Sequence, residues 1–224
     1  MKQTLQQLRE VVAWKLKDRY LLQQGAPQPG FLTALLNEGQ SFVSEATYCN
    51  FAVATETGVL DQADYSLNTG VLQDMDIFLV QRVLWDNTKI SITDQATLDR
   101  DTPSWRTTGS GTPKYAAIDF PGWLVLYPKP DAASANDVTG FDDIIKMLLF
   151  LEPLPMLNDS DVCRLDNRYQ RYVVEYAFNV LTNKFSDNEL LKQLLLKERG
   201  RNIQRAVKLF ARKIGGKIDK FETY

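Results

Sequence analysis

The chain contains no histidine and only two cysteines, Cys49 and Cys163, in 224 residues. Without histidine there is no serine-histidine-acid triad, no cysteine-histidine pair and no histidine-bearing zinc site. Two thiols cannot complete a thiolate cage. They also fall short of the disulfide framework of a small secreted scaffold, so an intracellular or in-capsule life is the plain expectation. Long apolar runs are missing too. No window approaches 18 uncharged apolar residues, and the opening Met1-Lys-Gln-Thr-Leu-Gln-Gln-Leu8 is polar and heptad-like, unlike the apolar core of a signal peptide. Neither a membrane span nor export by the usual route is expected.

What is present describes a folded protein. With 44% hydrophobic and 24% charged residues, the chain is too apolar for disorder and large enough for one good core or two modest domains. The net charge of −2 conceals a segregation. Residues 1–49 carry 5 basic and 4 acidic side chains, residues 50–162 carry 7 and 17, and residues 163–224 carry 14 and 7, giving +1, −10 and +7. The middle repels phosphate and the C-terminal part attracts it.

Both ends of the chain read as helices. Thr4 is placed to cap a helix over 5–22, in which Leu5, Leu8, Val11, Val12, Leu16 and Tyr20 recur near the 3.6-residue period. The run Gln23-Gln-Gly-Ala-Pro-Gln-Pro-Gly30 stops it. A second helix over 31–47 carries Leu32, Leu35, Leu36, Phe42, Val43 and Ala46, leaving Asn37, Gln40 and Ser44 for its other face. Near the C-terminus, Leu165, Tyr169, Tyr172, Val173, Tyr176, Ala177, Val180 and Leu181 make a stripe over 165–184. Ser186 or Asp187 then caps a helix in which Leu190, Leu191, Leu194 and Leu195 bury one side. Beyond Gly200, which marks a bend or close packing, Ile203, Val207, Phe210 and Ile214 resume the stripe until Gly215-Gly216.

Between residues 50 and 155 the helical period fades, and Thr-Gly, Ser-Gly-Thr-Pro and Pro-Gly punctuate short segments. Strands are expected at 51–55, 64–67, 77–84, 88–93, 114–119, 122–127 and 143–151, with a short helix from Asp94 to Arg100. The segments 114–119 and 122–127 read as a hairpin turning at Pro121-Gly122. The fold class is therefore α+β: a discontinuous four-helix bundle from the N- and C-terminal helices, with a central β-rich insert. The divisions are 1–49 and 163–214 as the two halves of the bundle, 50–162 as the acidic insert, and 215–224 as a basic and aromatic tail.

The acidic pairs Asp74/Asp76, Asp99/Asp101, Asp142/Asp143 and Asp159/Asp161 suit surface turns better than metal ligation, because none fits the twelve-position calcium loop. There is no phosphate-binding loop, and Gly215-Gly216 follows a helix rather than opening one. No catalytic residue, metal or cofactor is expected, and the chain is not read as an enzyme. The strongest electrostatic feature is the row Arg201, Arg205, Lys208 and Arg212, whose spacing places them on one helical face. Such a face docks on acidic protein surfaces or on DNA phosphates, which leaves a basic-helix nucleic-acid-binding module as the alternative.

The combination Pro103-Ser-Trp105, Gly111-Thr-Pro-Lys-Tyr115 and Trp123-Leu-Val-Leu-Tyr-Pro-Lys-Pro-Asp131 resembles the Trp, Gly-x-Pro-x-Tyr and Leu-Tyr-Pro-x-Pro stretch of tailed-bacteriophage head-to-tail connectors, the adaptors also called tail tubular protein A in short-tailed phages. Leu35-Leu-Asn-Glu-Gly-Gln-Ser41 looks like that family's early helix, with Gly39 where Ala is usual. Tyr169-Gln-Arg-Tyr-Val-Val-Glu-Tyr-Ala-Phe178 looks like its first C-terminal helix, and the proline expected before that helix is displaced into Glu152-Pro-Leu-Pro155. Matched residue by residue, Trp105, Gly111, Pro113, Tyr115, Leu126, Tyr127, Pro128 and Pro130 are fold-signature positions rather than catalytic ones.

The resemblance implies a virion structural protein made in the host cytoplasm and located at the neck, forming a homo-oligomeric ring of twelve subunits. Its partners would be the portal protein on one side and tail or nozzle proteins on the other. Genomic double-stranded DNA would pass through the channel in nonspecific proximity, with no membrane involved. Arg201, Arg205, Lys208, Arg212, Lys213, Lys217, Lys220, Phe221 and Tyr224 would form the portal- or partner-docking set, with acidic surface lining the channel. Residues 24–30, 131–142 and 215–224 are expected to order on assembly.

Overall fold

A computed structural model describes residues 2–18, 28–59, 61–67, 77–86, 88–107, 109–119, 123–131 and 144–213. The contacts divide the chain into two compact units, Met1–Asn50 with Glu152–Arg205, and Phe51–Leu151 with Ala206–Tyr224.

The first unit is helical. Helix α1, Leu5–Asp18, opens with a reciprocal cap in which Gln7 N–H donates to Thr4 Oγ1 at 3.3 Å and Thr4 N–H donates to Gln7 Oε1 at 3.0 Å. Its buried stripe is Leu5, Leu8, Val12 and Leu16. Helix α2, Pro29–Thr47, starts on a proline, whose missing N–H costs nothing in the first turn. It stops where Tyr48 turns left-handed (φ 54°) and returns its N–H to the Ser44 carbonyl at 2.7 Å. Helix α4, Asn167–Leu181, packs Tyr169, Val173 and Ala177 into the same core as Leu36 and Val43 of α2 and Leu8 of α1. Helices distant in sequence therefore share one interior, as the apolar stripes at both chain ends require. Helix α5, Phe185–Lys213, runs unbroken through Gly200.

The polar residues of α2 differ from their sequence reading. Gln40 and Ser44 are buried, and Asn37 is half-buried, because the connection from Glu152 to Arg164 crosses that face. Asn37 exchanges both of its amide hydrogen bonds with the Met156 backbone (2.9 and 3.0 Å). Gln40 donates to the Leu154 carbonyl at 3.2 Å and accepts from Arg164 N–H at 2.9 Å. An amide side chain with matched donors and acceptors is at home in an interior. The connection also pairs with the N-terminus, where Leu5 N–H meets the Asp161 carbonyl at 2.8 Å and Cys163 N–H meets the Gln3 carbonyl at 3.0 Å.

Gly39 and Gly200 have opposite surroundings. A Cβ at Gly39 would stand 3.0 Å from the Val173 carbonyl oxygen and 3.1 Å from Tyr176 Cδ1, whereas one at Gly200 would meet nothing within 4 Å. At Gly39 α2 and α4 approach closely enough that a methyl group would crowd the Val173 carbonyl and the Tyr176 ring. Gly200 is neither a bend forced by packing nor a close approach. Gly200→Ala is expected to raise stability by about 0.5–1 kcal/mol, the helix-propensity difference. Gly39→Ala is expected to lower it by about 1–2 kcal/mol, overpacking outweighing the same propensity gain. Urea titration of the two variants checks both signs.

The second unit is built on a seven-stranded sheet of order β1-β7-β3-β4-β5-β6-β2, with β1 Phe51–Thr57, β2 Asp64–Ser66, β3 Ile77–Trp85, β4 Thr88–Thr93, β5 Tyr115–Asp119, β6 Trp123–Tyr127 and β7 Ile144–Leu151. Every neighbouring pair is antiparallel except β4 with β5. Parallel neighbours need a long crossover, and here it contains helix α3, Gln95–Asp101. Asp94 caps α3 by accepting from Thr97 N–H at 2.7 Å. Strand β7 lies between β1 and β3, and its residues 147 to 151 are all buried, as in a strand covered on both faces. Met147, Leu149 and Leu151 share a core with Val83, Ile90, Leu124 and Leu126, while Phe150 on the other face meets the rings of Phe51 and Phe78 at 6.4 and 6.3 Å. The expected hairpin is present in the register Tyr115 to Tyr127. Its turn at Pro121-Gly122 lies outside the described residues, as do 19–22, Asp74, Asp76, Asp142, Asp143 and most of the segments expected to order on assembly.

Candidate functional site

The fold-signature residues fall together at one corner of the strand unit. Trp105 follows α3 and is 4% exposed, within a small core of Leu98, Ala117 and Val125. Its indole N–H donates to Asp99 Oδ1 at 2.7 Å, which gives a buried tryptophan the partner it needs. Tyr127 meets the Trp105 ring edge-on at 6.1 Å and stacks with Tyr115 at 6.3 Å, and the Arg106 guanidinium lies over the Trp105 ring at 4.8 Å. Gly111 sits against Pro128, where a Cβ would be 3.4 Å from the proline ring, and its N–H donates to the Lys129 carbonyl at 2.7 Å. The Tyr127–Pro128 peptide is cis. Pro113, Leu126 and Pro130 are buried, and the Pro130 carbonyl accepts Asp61 N–H at 3.0 Å. These positions lock the crossover and its turns onto β5 and β6.

Beside this corner opens a pocket of about 670 Å³. Trp105, Trp123, Val125 and Leu126 contribute its apolar lining, and Asp61, Asp64, Arg106 and Lys129 its charge. Trp123 is 47% exposed. Arg106 is committed locally, donating to Gln95 at 3.2 Å and lying 3.6 Å from Asp99.

The basic row lies on α5. Arg201, Arg205, Lys208 and Arg212 are all exposed. Arg201 pairs with Glu198 at 3.0 Å and Arg205 reaches Asp166 at 3.8 Å, while Lys208 and Arg212 have no ion-pair partner among the described residues. Sequence reasoning missed the start of this face. Leu190 and Leu194, assigned there to the interior, are 63% and 47% exposed, and the helical period aligns them with Lys197, Arg201, Arg205, Lys208 and Arg212. Of the four leucines given to the buried side, only Leu195 is fully buried, with Leu191 partly so. The signal was present in the +4, +3, +4, +4, +3, +4 spacing from Leu190 to Arg212. Lys217, Lys220, Phe221 and Tyr224 lie outside the described residues, as does the side chain of Lys213.

The opposite side of α5 is held by polar groups. Asn188, Leu195 and Asn202, spaced by seven, are its buried positions within the helical unit. Asn202 Nδ2 donates to the Thr47 carbonyl at 2.8 Å and to the Tyr169 hydroxyl at 2.7 Å, and its Oδ1 accepts from Arg168 at 2.9 Å. Asn179 donates to Asn188 at 3.0 Å. The Arg199 guanidinium covers the Tyr48 ring at 3.6 Å.

The titratable groups serve structure. Burial pushes the Cys49 thiol up to about 11 and raises Cys163, so both are protonated at neutral pH and neither is an activated nucleophile. Asp161 is held below its ordinary value by the Asn158 and Leu157 N–H groups it accepts, and Asp159 pairs with Arg9. Among the described residues no three acidic or thiol groups are arranged to hold a metal ion, and no helix is long and apolar enough to cross a membrane.

Burial raises Tyr65, Tyr169 and Tyr176 above the ordinary phenol value of 10.0, and for Tyr176 the hydrogen bond it donates to Glu38 and the charge of that carboxylate add to the effect. A phenol raised in the fold favours the folded state in its neutral form. That contribution is complete below about pH 10 and is lost as pH rises through the folded values. The thermal midpoint is therefore expected to fall steeply above about pH 10, and Tyr176→Phe to blunt the fall; a midpoint flat into that range would refute it.

The described parts are helices from both chain ends closed around one core, a strand unit packed by aromatics and prolines, and a solvent-facing basic helix. A family model described as SU10 adaptor protein matches residues 3–216, and the chain belongs to that family of bacteriophage head-to-tail adaptors. It is a phage structural protein, not an enzyme. Comparison with curated proteins finds no match.

Proposed function

We propose that the chain forms a ring, of twelve subunits as in the connectors it resembles, that joins the portal vertex to the tail or nozzle at the virion neck and lets genomic DNA pass through its channel. The observation that carries this reading is the family match over residues 3–216 together with the exposed face of α5. Arg201, Arg205, Lys208 and Arg212 form the docking row, continued by Lys213, Lys217, Lys220, Phe221 and Tyr224. The signature residues from Trp105 to Pro130 keep the strand unit rigid rather than contribute chemistry. Two exposed leucines in line with the cations favour a protein partner over duplex DNA, whose phosphate backbone offers a basic helix no apolar counterpart.

Mixing the purified protein with portal rings should give stacked rings by electron microscopy. The quadruple charge reversal of Arg201, Arg205, Lys208 and Arg212 to Glu should lower docking by at least about tenfold. A protein that ignores portal and tail partners at several salt concentrations sinks the proposal. Tight duplex binding with a steep salt slope that vanishes in the same variant would move it to the nucleic-acid reading.

A further inference from the structure

The side of α1 that faces away from the core carries a tryptophan. Trp14 lies two residues from both Val12 and Leu16 of the buried stripe, so it points outward; it is 65% exposed, with Glu10 and Lys17 one turn to either side. A single surface leucine is ordinary, but an indole held on the solvent side of a helix is the residue type that anchors interfaces. On α5 the outward residues of the leading turns are Leu190 and Leu194, followed by Lys197.

These two faces lie on opposite flanks of the helical unit. Gln3 N–H donates to Gln170 at 3.0 Å and Lys15 lies over the Phe178 ring at 5.6 Å, so α1 runs parallel to α4. Asn179 donates to Asn188 at 3.0 Å and Arg168 to Asn202 at 2.9 Å, so α5 runs antiparallel to it. Positions 170 and 178 leave α4 roughly 130° around its axis from 168 and 179, which puts α4 between α1 and α5. The same contacts set the heights. Trp14, beside Lys15, is level with Leu190, just past Asn188. Glu10 is level with the stretch from Leu194 to Lys197, and Lys17 with Asp187 and Glu189.

We infer that the two flanks meet between copies: the Glu10–Trp14–Lys17 face of α1 in one subunit packs on the Leu190–Leu194–Lys197 face of α5 in the next. The inference rests on the ring reading above and names the contact that would close the ring.

Three arguments make a second copy the occupant. The faces are different patches on opposite flanks, so their mating is head-to-tail, the interface type that closes into rings rather than two-fold dimers. A rotation about an axis parallel to α4 preserves height, so it brings Trp14 onto the exposed leucines and sets α1 antiparallel to the neighbour's α5. In that register the charges alternate correctly, with Glu10 toward Lys197 and Lys17 toward Asp187 and Glu189. Lys17, Asp187, Glu189 and Lys197 have no ion-pair partner among the described residues. The contact leaves Arg201, Arg205, Lys208 and Arg212 to the portal.

The test uses the full-length chain, assembled alone or on portal rings. A chain carrying both Trp14→Cys and Leu190→Cys, treated with a short bismaleimide, should give a covalent ladder of subunits on a denaturing gel. Either substitution alone should not, and the single variants measure any contribution from the native Cys49 and Cys163. Glu10→Lys with Lys17→Glu should weaken self-association about tenfold by sedimentation velocity. Adding Glu189→Lys and Lys197→Glu to that chain should restore it, because reversed faces then meet reversed faces. All six positions are exposed, so every variant should keep the wild-type thermal midpoint. Rings that form without the ladder overturn this contact and leave the ring reading standing. Weakening that the combined reversal does not repair overturns the pairing of the two faces. Trp14→Ala rings that assemble like wild type but no longer dock on the portal assign the α1 face to that partner and overturn the contact too. A wild-type chain that never assembles, even on portal rings, overturns the ring reading itself.

Discussion

Trp105→Ala should destabilise the strand unit by about 4 kcal/mol, the scale of emptying a buried aromatic site. The indole is 4% exposed, so its removal leaves a cavity among Leu98, Ala117 and Val125. It also removes the edge-on contact to Tyr127 and the surface on which Arg106 rests. Trp105→Phe separates the terms. Phenylalanine restores most of the apolar contact but cannot donate to Asp99, so it should lose about 1–2 kcal/mol. Because the chain divides into two units, a residue-resolved measurement assigns the loss to one of them, which an unfolding curve alone does not. Hydrogen exchange should show protection falling in β5 and β6 while α2 and α4 keep theirs. Equal loss of protection in α2 and α4 would refute the assignment of Trp105 to a local core.

Asn202→Ala is expected to cost about 3 kcal/mol, a large effect for a small polar side chain. The deletion strands two buried groups. The Thr47 carbonyl loses its donor and the Tyr169 hydroxyl its partner at a position 2% exposed, while the exposed Arg168 loses an acceptor that water replaces. An unsatisfied buried group costs more than its hydrogen bond contributed when made. Tyr169→Phe, which removes one member and leaves Asn202 bonded to Thr47, should cost about 1 kcal/mol. Amide exchange in α5 is the measurement, and an Asn202→Ala protein whose α5 exchanges as slowly as wild type would sink the idea. Asparagine at a repeating seam position also sets helix register at some expense of stability.

The elements were legible to within a few residues because their signals are local. The strand signal at 88–93 and the helix signal at 167–181 lie in the residues themselves, and a capping threonine or aspartate acts over three positions. The fold class followed from the same signals, since amphipathic stripes at both ends leave no economical arrangement except a shared core. The burial of Gln40 was not legible. An amide on the polar side of an amphipathic helix reads as solvated unless the segment that satisfies it is known, and Leu154 and Arg164 lie more than a hundred residues away. The exposure of Leu190 and Leu194 was missed for the same kind of reason. Apolar residues at helical spacing read as core, and only the packing of α5 through Asn188, Leu195 and Asn202 turns the leucines outward.

The basic row was legible as a row. Arg201, Arg205, Lys208 and Arg212 share a helical face whatever the helix packs against, because the period of an α-helix is a backbone property. That these side chains stand in solvent, with two leucines at their head, is a result of the tertiary structure.

The residues alone determined that catalysis through histidine or metal-bound thiolate is excluded, that helices at the two ends share an interior, and that charge of opposite sign gathers in the middle and at the C-terminal end. These depend on composition, short-range period and counting. The tertiary structure decided which polar groups are interior, which apolar ones are exposed, and that the aromatic and proline motif from Trp105 to Pro130 is a packed corner beside an open pocket. Those depend on which distant segments come together, and partners at a distance leave no mark in the local pattern.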